Sequence, residues 1–416
     1  MRVAVVGGGV FGQVIAWRLA LGGVRVTVVE PRGPGNAGSG SGDRSRIVRA
    51  LYDEPFFAEA GFVGLRLWDE WSAALGARFV EKIGVAYLVR KEGPGSAAFS
   101  EWVTKGVGHV RALGGEVIEL SPEEASARWP AMGTGDLARV AFEPGGGYGR
   151  AALATRTIAR ASAEIGVAHV AARAIAIEES AGRATGVRWE GHGGSSGIVE
   201  ADAVIVASGF AGVSLVAPFC ALPIARLAHW ASYWDVPYPE GAALHQSVLP
   251  AWADLGAELY GFPDDGESGF KCATHAPRPQ HHRGSTTELA GQAARHRTAD
   301  SPTPDRGPDG PPAIHAPGEA ADAPSHEEVE ALRERVRLRF PAIASARCRS
   351  VYVCAYDSTA DERFQIGPVP GVSGLWFVGA MSGHGFKHAP SLGDSVASAV
   401  LGKRPALDLS VYALRV

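Results

Sequence analysis

Arg2-Val-Ala-Val-Val6-Gly7-Gly-Gly9-Val-Phe-Gly12 stands at the head of the sequence and decides the fold. The run from Arg2 to Val6 is short and rich in β-branched residues, as in a strand buried on both faces of a parallel sheet. A helix follows, with Val14, Ile15, Leu19 and Leu21 at helical spacing, and Gly22-Gly23 ends it. The second strand is Val24-Arg-Val-Thr-Val-Val-Glu30. Strand, helix and strand together read as a βαβ unit.

Inside that unit Gly7-x-Gly9-x-x-Gly12 has a mechanical task. Glycines make the tight turn, let the backbone approach a pyrophosphate, and let the helix pack closely on the strand. Glu30 lies eighteen residues past Gly12, at the tip of the second strand. A carboxylate there accepts hydrogen bonds from ribose hydroxyls and repels a 2′-phosphate. The triplet alone also fits a glycine-rich turn without a ligand, but triplet, strands, helix and terminal acid in register point to a dinucleotide. Val10, Phe11 and Arg32 belong to the same expected contact set.

The chain has 416 residues and 46% hydrophobic content, which suits two interleaved domains better than one core. A formal charge of −4 from 40 basic and 44 acidic side chains gives no basic patch for nucleic acid. No apolar run is long enough to span a bilayer, and the sequence reads as a cytoplasmic protein without a membrane partner. Cys220, Cys272, Cys348 and Cys354 are irregularly spaced, so they read as thiols rather than a disulfide framework or a metal site.

Ala201-Asp-Ala-Val-Ile-Val-Ala207, ending in Ser208-Gly209, and Gly374-Leu-Trp-Phe-Val-Gly379 read as further strands of the first sheet. From Val85 to about Gln246, strand-like runs alternate with helices such as Arg150 to Ile165. The expected fold class is α/β with an α+β second domain: a Rossmann-like domain with a mixed or antiparallel substrate domain inserted in pieces. The expected division assigns 1–83, 145–215 and 325–416 to the cofactor domain, and 84–144 and 216–275 to the substrate domain. Residues 276–324, with nine prolines, four histidines and only Leu289 and Ile314 as large aliphatics, are expected to be a disordered linker. Ser325-His-Glu-Glu328 has the form of a capping box opening a helix that runs to about Arg339.

Three further constellations carry chemistry. The first is Ser39-Gly-Ser41-Gly42-Asp43-Arg44-Ser45-Arg46-Ile-Val-Arg49. The second is Tyr260-Gly-Phe-Pro263 followed by Gly269-Phe-Lys271 and His275. The third is Cys354-Ala-Tyr356-Asp-Ser-Thr-Ala-Asp361-Glu-Arg-Phe364 with Gly379-Ala-Met-Ser-Gly383-His384-Gly385-Phe386-Lys387. Together they resemble the FAD-dependent amine and amino-acid oxidoreductases of the sarcosine oxidase and N-methyltryptophan oxidase branch. The resemblance covers the chain except 276–324. It departs in three places: Ser39-Gly40-Ser41 replaces paired histidines, an extra residue separates Asp43 from Arg46, and Ala355 and Asp357 flank Tyr356 in place of methionine and threonine.

What the resemblance implies is specific. FAD would be the cofactor, with Ser41, Gly42, Ser208, Gly209, Gly383, His384, Gly385, Phe386 and Lys387 along it and Cys354 joined to it covalently. A thiolate close to the flavin methyl edge is what such a bond requires. Arg49 and Lys387 would clamp a substrate carboxylate, the guanidinium as a bidentate fork and the ammonium as a point charge. Arg46 would favour the reduced cofactor by its positive charge. Lys271 would stabilise negative charge developing on oxygen as it is reduced. His275, Tyr260 and Tyr356 would line the substrate face. After His388, a helix from about Ser391 would aim its N–H groups at the flavin pyrimidine edge.

The expected activity is oxidation of the carbon–nitrogen bond of an N-alkyl, cyclic or other secondary-amine amino acid. It would give an imine and hydrogen peroxide, with molecular oxygen as acceptor, a small-molecule amine or amino acid as partner, and a monomeric state. A dehydrogenase with another acceptor and a non-catalytic FAD-binding subunit are the alternatives.

Overall fold

A computed structural model describes residues 1–275 and 325–416 of the chain. The expected linker, 276–324, lies outside the described residues, as do its histidines.

A six-stranded sheet carries the opening motif. Its order is Gln365–Pro368, Leu375–Gly379, Ala203–Val206, Arg2–Val6, Arg25–Val29, Ala168–Val170. All neighbours run parallel except the edge strand Gln365–Pro368. Arg2–Val6 sits centrally, with Val3 opposite both Ala203 and Val26. Burial on both faces explains why its sequence is continuously apolar rather than alternating.

One face packs on helices Val10–Leu21, Ala151–Glu164 and Ala389–Val400 through Val14, Ile15, Ile158, Leu392 and Val396. The other face meets the three-stranded meander of Ala172–Ser180, Arg183–Gly191 and Ser196–Glu200 through Val6, Val204, Ile177 and Val187. Both strands expected to return to the first sheet, near 201–207 and 374–379, do so.

The second sheet has eight strands: Arg347–Ser358, Ala225–Asp235, Phe270–Thr274, Leu259–Phe262, Ala251–Asp254, Val85–Arg90, Leu137–Glu143 and Ile118–Leu120. Only Ala251–Asp254 against Val85–Arg90 is parallel, giving the expected mixed sheet. Period-two alternation splits its side chains between two cores. Ala86, Leu88, Trp234, Trp252, Phe270 and Cys272 face one core, while Val85, Tyr87, Val89, Ala253 and Phe262 face the other.

The first of those cores is closed by the helix His326–Arg337, through Leu332 and Val336, and by Phe340. The Ser325–Glu328 capping box starts this helix as expected. Residues 325–358 thus pack with the eight-stranded sheet, whereas the sequence division placed 325–416 wholly with the cofactor domain. Arg347–Ser358 pairs along nearly its whole length with Ala225–Asp235, a long-range choice that no local pattern encodes.

Candidate active site

The turn after Arg2–Val6 is built for close approach. Gly7 has φ +108°, and a Cβ on Gly12 would lie 2.0 Å from the Gly7 carbonyl oxygen. A side chain at either position would push the helix Val10–Leu21 off the strand. Gly9 starts that helix with no side-chain cap, leaving backbone donors for an anion. Val10 N–H donates to Ser41 Oγ at 3.1 Å, so the serine loop is tied to the helix start. Val10 and Phe11 are themselves buried.

The Glu30 carboxylate accepts from Gly8 N at 2.8 Å and from Arg32 N at 2.9 Å, which fixes it over the turn. Ser208, beside Gly7 and followed by Gly209 at φ +59°, has a buried hydroxyl with no hydrogen-bond partner among the described residues. Glycine cradle, uncapped helix start, strand-tip acid and orphaned hydroxyl together fit the adenosine diphosphate half of a dinucleotide.

Alternation in the second sheet brings the other expected residues to one face. Lys271 is opposite in facing to Phe270 and Cys272, and Tyr233 to Trp234, so both turn toward the loop from Ser39 to Arg49. His229 lies directly across from Cys354 and stacks on Tyr356 at 4.1 Å. Tyr356 and Tyr260 share a hydrogen bond of 2.9 Å between their hydroxyls. Burial pushes the Tyr260 phenol up to about 12 and holds Tyr356 well above the usual range, so both remain protonated.

Arg49 is stacked rather than paired. Its guanidinium sits 3.9 Å from the Tyr52 ring centroid and 4.8 Å from that of Trp102, and it donates to the Leu51 carbonyl. Lys387 approaches the Tyr52 ring at 5.6 Å and donates to the His384 carbonyl at 2.8 Å. Among the described residues neither cation has a carboxylate within ion-pair distance. Burial, then the charge of Arg49, holds the Lys387 amine well below its ordinary value. Burial likewise lowers His275, to which Arg49 and Lys387 add, and keeps His384 neutral. His384 faces the Tyr52 hydroxyl across 3.1 Å.

Lys271 is 3% exposed, and its ammonium donates to Asp43, with Ser45 O at 3.2 Å. Arg46 donates to the same Asp43 oxygen at 2.5 Å and to the Gly40 carbonyl at 2.9 Å. Cys354 is a half-buried free thiol on the strand that carries Tyr356.

Two expected cofactor contacts have packing reasons of their own. A Cβ on Gly42 would fall 1.8 Å from the Asn36 carbonyl, so the loop itself requires glycine there. Phe386 stacks on Trp68 at 5.0 Å and presses on Gly149, which places its ring in the core. Gly383, at φ +75°, lies under the Tyr356 ring, 2.2 Å from where its Cβ would be, and Gly385 packs on Met381.

Sequence reasoning missed Asp43, Tyr52, Tyr87, Trp102 and Glu143. The Glu143 carboxylate is 2% exposed and accepts from Ala50 N at 2.7 Å, Leu51 N at 3.3 Å and Tyr87 Oη at 2.8 Å, pinning the chain just after Arg49. The only sequence signal was an acid ending the apolar run Val140-Ala-Phe142 before a glycine turn.

A dinucleotide corner together with a cationic, aromatic cluster beside a mixed sheet marks an oxidoreductase that works through a bound dinucleotide cofactor. The family model described as FAD dependent oxidoreductase matches residues 2–399, and the chain belongs to that family. Among curated proteins it is 25% identical over 412 residues to an N-methyl-L-tryptophan oxidase of Yersinia pestis, covering 99% of this chain and 97% of that one. Among solved structures it resembles L-proline dehydrogenase from P. horikoshii, with TM-score 0.77 and 18% identity over 99% of this chain and 96% of that one. Glycine oxidase from Geobacillus kaustophilus gives TM-score 0.74 and 21% identity over 100% and 98%. The chain is thus an FAD-dependent enzyme with the fold of amino-acid oxidases. No helix among the described residues is long and apolar enough to cross a membrane.

Proposed function

We propose that the chain is an oxidase of the carbon–nitrogen bond of an N-alkyl, cyclic or other secondary-amine amino acid, giving an imine and hydrogen peroxide. The observation that carries this reading is the convergence of Arg49 and Lys387 on Tyr52 with no carboxylate partner among the described residues. A buried guanidinium, beside an amine that burial and that guanidinium keep from charging, is costly unless a ligand brings an anion. An amino-acid carboxylate supplies it, and the curated N-methyl-L-tryptophan oxidases act on molecules of that class.

FAD, when bound, takes two electrons from the substrate and passes them to dioxygen. The residues of the chain supply the rest. Arg49 and Lys387 fix the carboxylate. Tyr260 and Tyr356, hydrogen-bonded to one another, and neutral His275 form the polar wall for the amine nitrogen. A neutral wall admits the amine in its uncharged form, which is the form that gives up electrons. Arg46 and Lys271 keep positive charge where negative charge develops. Cys354 is the residue proposed to carry the covalent link to the cofactor. A monomer in the cytoplasm acting on a small molecule is part of the same proposal.

The test is acid denaturation of purified protein. Yellow colour should stay with the polypeptide and wash out of Cys354→Ala, and a peroxide-coupled screen of secondary-amine amino acids should then find turnover. Colour lost from the wild type removes the covalent link. Turnover that persists without oxygen and needs an artificial acceptor in air removes the oxidase assignment.

A further inference from the structure

Asp43 is the convergence point of the loop from Ser39 to Arg49. Its Oδ2 accepts from the Lys271 ammonium and from Arg46 at 2.5 Å, and its Oδ1 accepts from Tyr233 Oη at 2.8 Å and Arg44 N at 2.7 Å. Four donors from three segments meet on one carboxylate, and both residues that Lys271 and Tyr233 occupy lie on adjacent strands of the eight-stranded sheet.

We propose that Asp43 is a positioning residue: the counter-ion that keeps Lys271 charged and aimed at the site where oxygen is reduced. The physical case begins with what surrounds Lys271. The loop presents Asp43, Arg46 and Ser45, the strand Ala225–Asp235 presents Tyr233, the strand Leu259–Phe262 presents the ring of Phe262, and the strand Arg347–Ser358 presents Cys354. Of these only Asp43 is a carboxylate. Burial, with the neighbouring Arg46, holds the Lys271 amine below the ordinary lysine value, and Asp43 opposes both.

Arginine does not give up its proton at these pH values, so when the carboxylate is removed the charge that is lost is the lysine's. Asp43 also bridges the loop of the cofactor half to the substrate-side sheet, so its loss frees both partners. Its kinetic consequence rests on the proposed oxidase reading, whereas its effect on Lys271 does not.

The chain has six lysines, so lysine labelled with carbon-13 and nitrogen-15 gives a resolvable spectrum, and Lys271→Arg assigns the signal. In the wild type the Lys271 signal should be that of an ammonium up to pH 8. In Asp43→Asn it should be that of a neutral amine at pH 8 and recover on acidification, while Asp43→Glu should keep the ammonium. Reoxidation of reduced Asp43→Asn by air should be about tenfold slower at pH 8 and regain rate toward pH 6, with substrate reduction of the cofactor changed less than threefold.

An ammonium signal in folded Asp43→Asn at pH 8 overturns the proposal. A wild-type Lys271 that titrates below pH 8 overturns it as well, and needs no variant to fold. If Lys271→Met reoxidises at the wild-type rate, the oxygen role of Lys271 fails while the counter-ion role is still decided by the spectrum.

Discussion

At the scale of single residues, the site is set by cations that have no ion-pair partner among the described residues. Glu143 lies outside ion-pair distance, and its charge still favours the protonated forms of Arg49 and Lys387. It spends its oxygens on Ala50, Leu51 and Tyr87, and burial raises its carboxyl above the usual range. Glu143→Gln should turn one acceptor into a donor facing backbone N–H groups, costing about 2 kcal/mol of stability in a urea titration. The same change should raise the KM about tenfold while leaving kcat within threefold, because Arg49 loses its anchor rather than its charge. An unchanged KM would remove Glu143 from the carboxylate clamp.

Lys387 carries the pH prediction. In the free protein burial and Arg49 hold its amine low, and a bound carboxylate favours the charged form. Binding therefore takes up a proton. The Kd of a non-oxidisable carboxylate such as benzoate should fall as pH is lowered, by up to about tenfold per pH unit between the free and bound pKa values of Lys387. Lys387→Met should flatten that slope, which separates Lys387 from His275 and His384 as the proton acceptor. A wild-type Kd independent of pH would show that Lys387 enters the complex with its proton state unchanged.

At the scale of elements, the loop from Gly379 to Lys387 is held in an uncommon shape. Ala380 and Ser382 have φ of +53° and +43°, and the half-buried Asp357 carboxylate accepts from Ala380 N at 2.9 Å to hold the bend. Non-glycine residues in the left-handed region cost about 1–2 kcal/mol each and persist where the surroundings enforce them. Gly383→Ala should therefore be severe: it adds that backbone cost and drives a methyl into the Tyr356 ring, 2.2 Å away. Expected are a lower Tm and loss of the Tyr356–Tyr260 geometry, read as weakened substrate reduction of the cofactor. A variant with native Tm and rates would show that the loop relaxes freely.

The helices and strands nearest this loop were legible in advance, since Leu375–Gly379 and the helix Ala389–Val400 both follow from local pattern. The bend between them was not, because Asp357, which holds it, sits on a strand of the other sheet.

At the scale of the whole molecule, two sheets with separate cores share one chain. Arg339 fastens the returning segment to the eight-stranded sheet: it is 2% exposed and bonds to Asp254 at 2.8 Å and to Asp136 at 2.8 Å. Among the described residues, Arg339→Met leaves the buried Asp254 with only Arg90, at 3.8 Å, to offset it. A loss of about 3 kcal/mol is expected in urea, with FAD affinity within threefold, because the network is remote from the glycine cradle. A loss of FAD affinity equal to the loss of stability would instead show that the two sheets unfold as one unit.

The sequence by itself determined the βαβ unit, the glycine cradle with Glu30 and the FAD family, and it singled out Arg49, Lys271 and Lys387 as candidates without the aromatic and acidic residues around them. These depend on local spacing and backbone geometry, which a linear pattern records. Only the tertiary structure decided that Asp43 meets Lys271 and that Glu143 pins the Arg49 loop. It alone decided that Phe386 belongs to the core, and that 325–358 joins the second sheet. Each of those is a pairing between segments far apart in the chain, chosen by which faces the packed sheets bury together, and period-two alternation tells a side chain its face but not its partner.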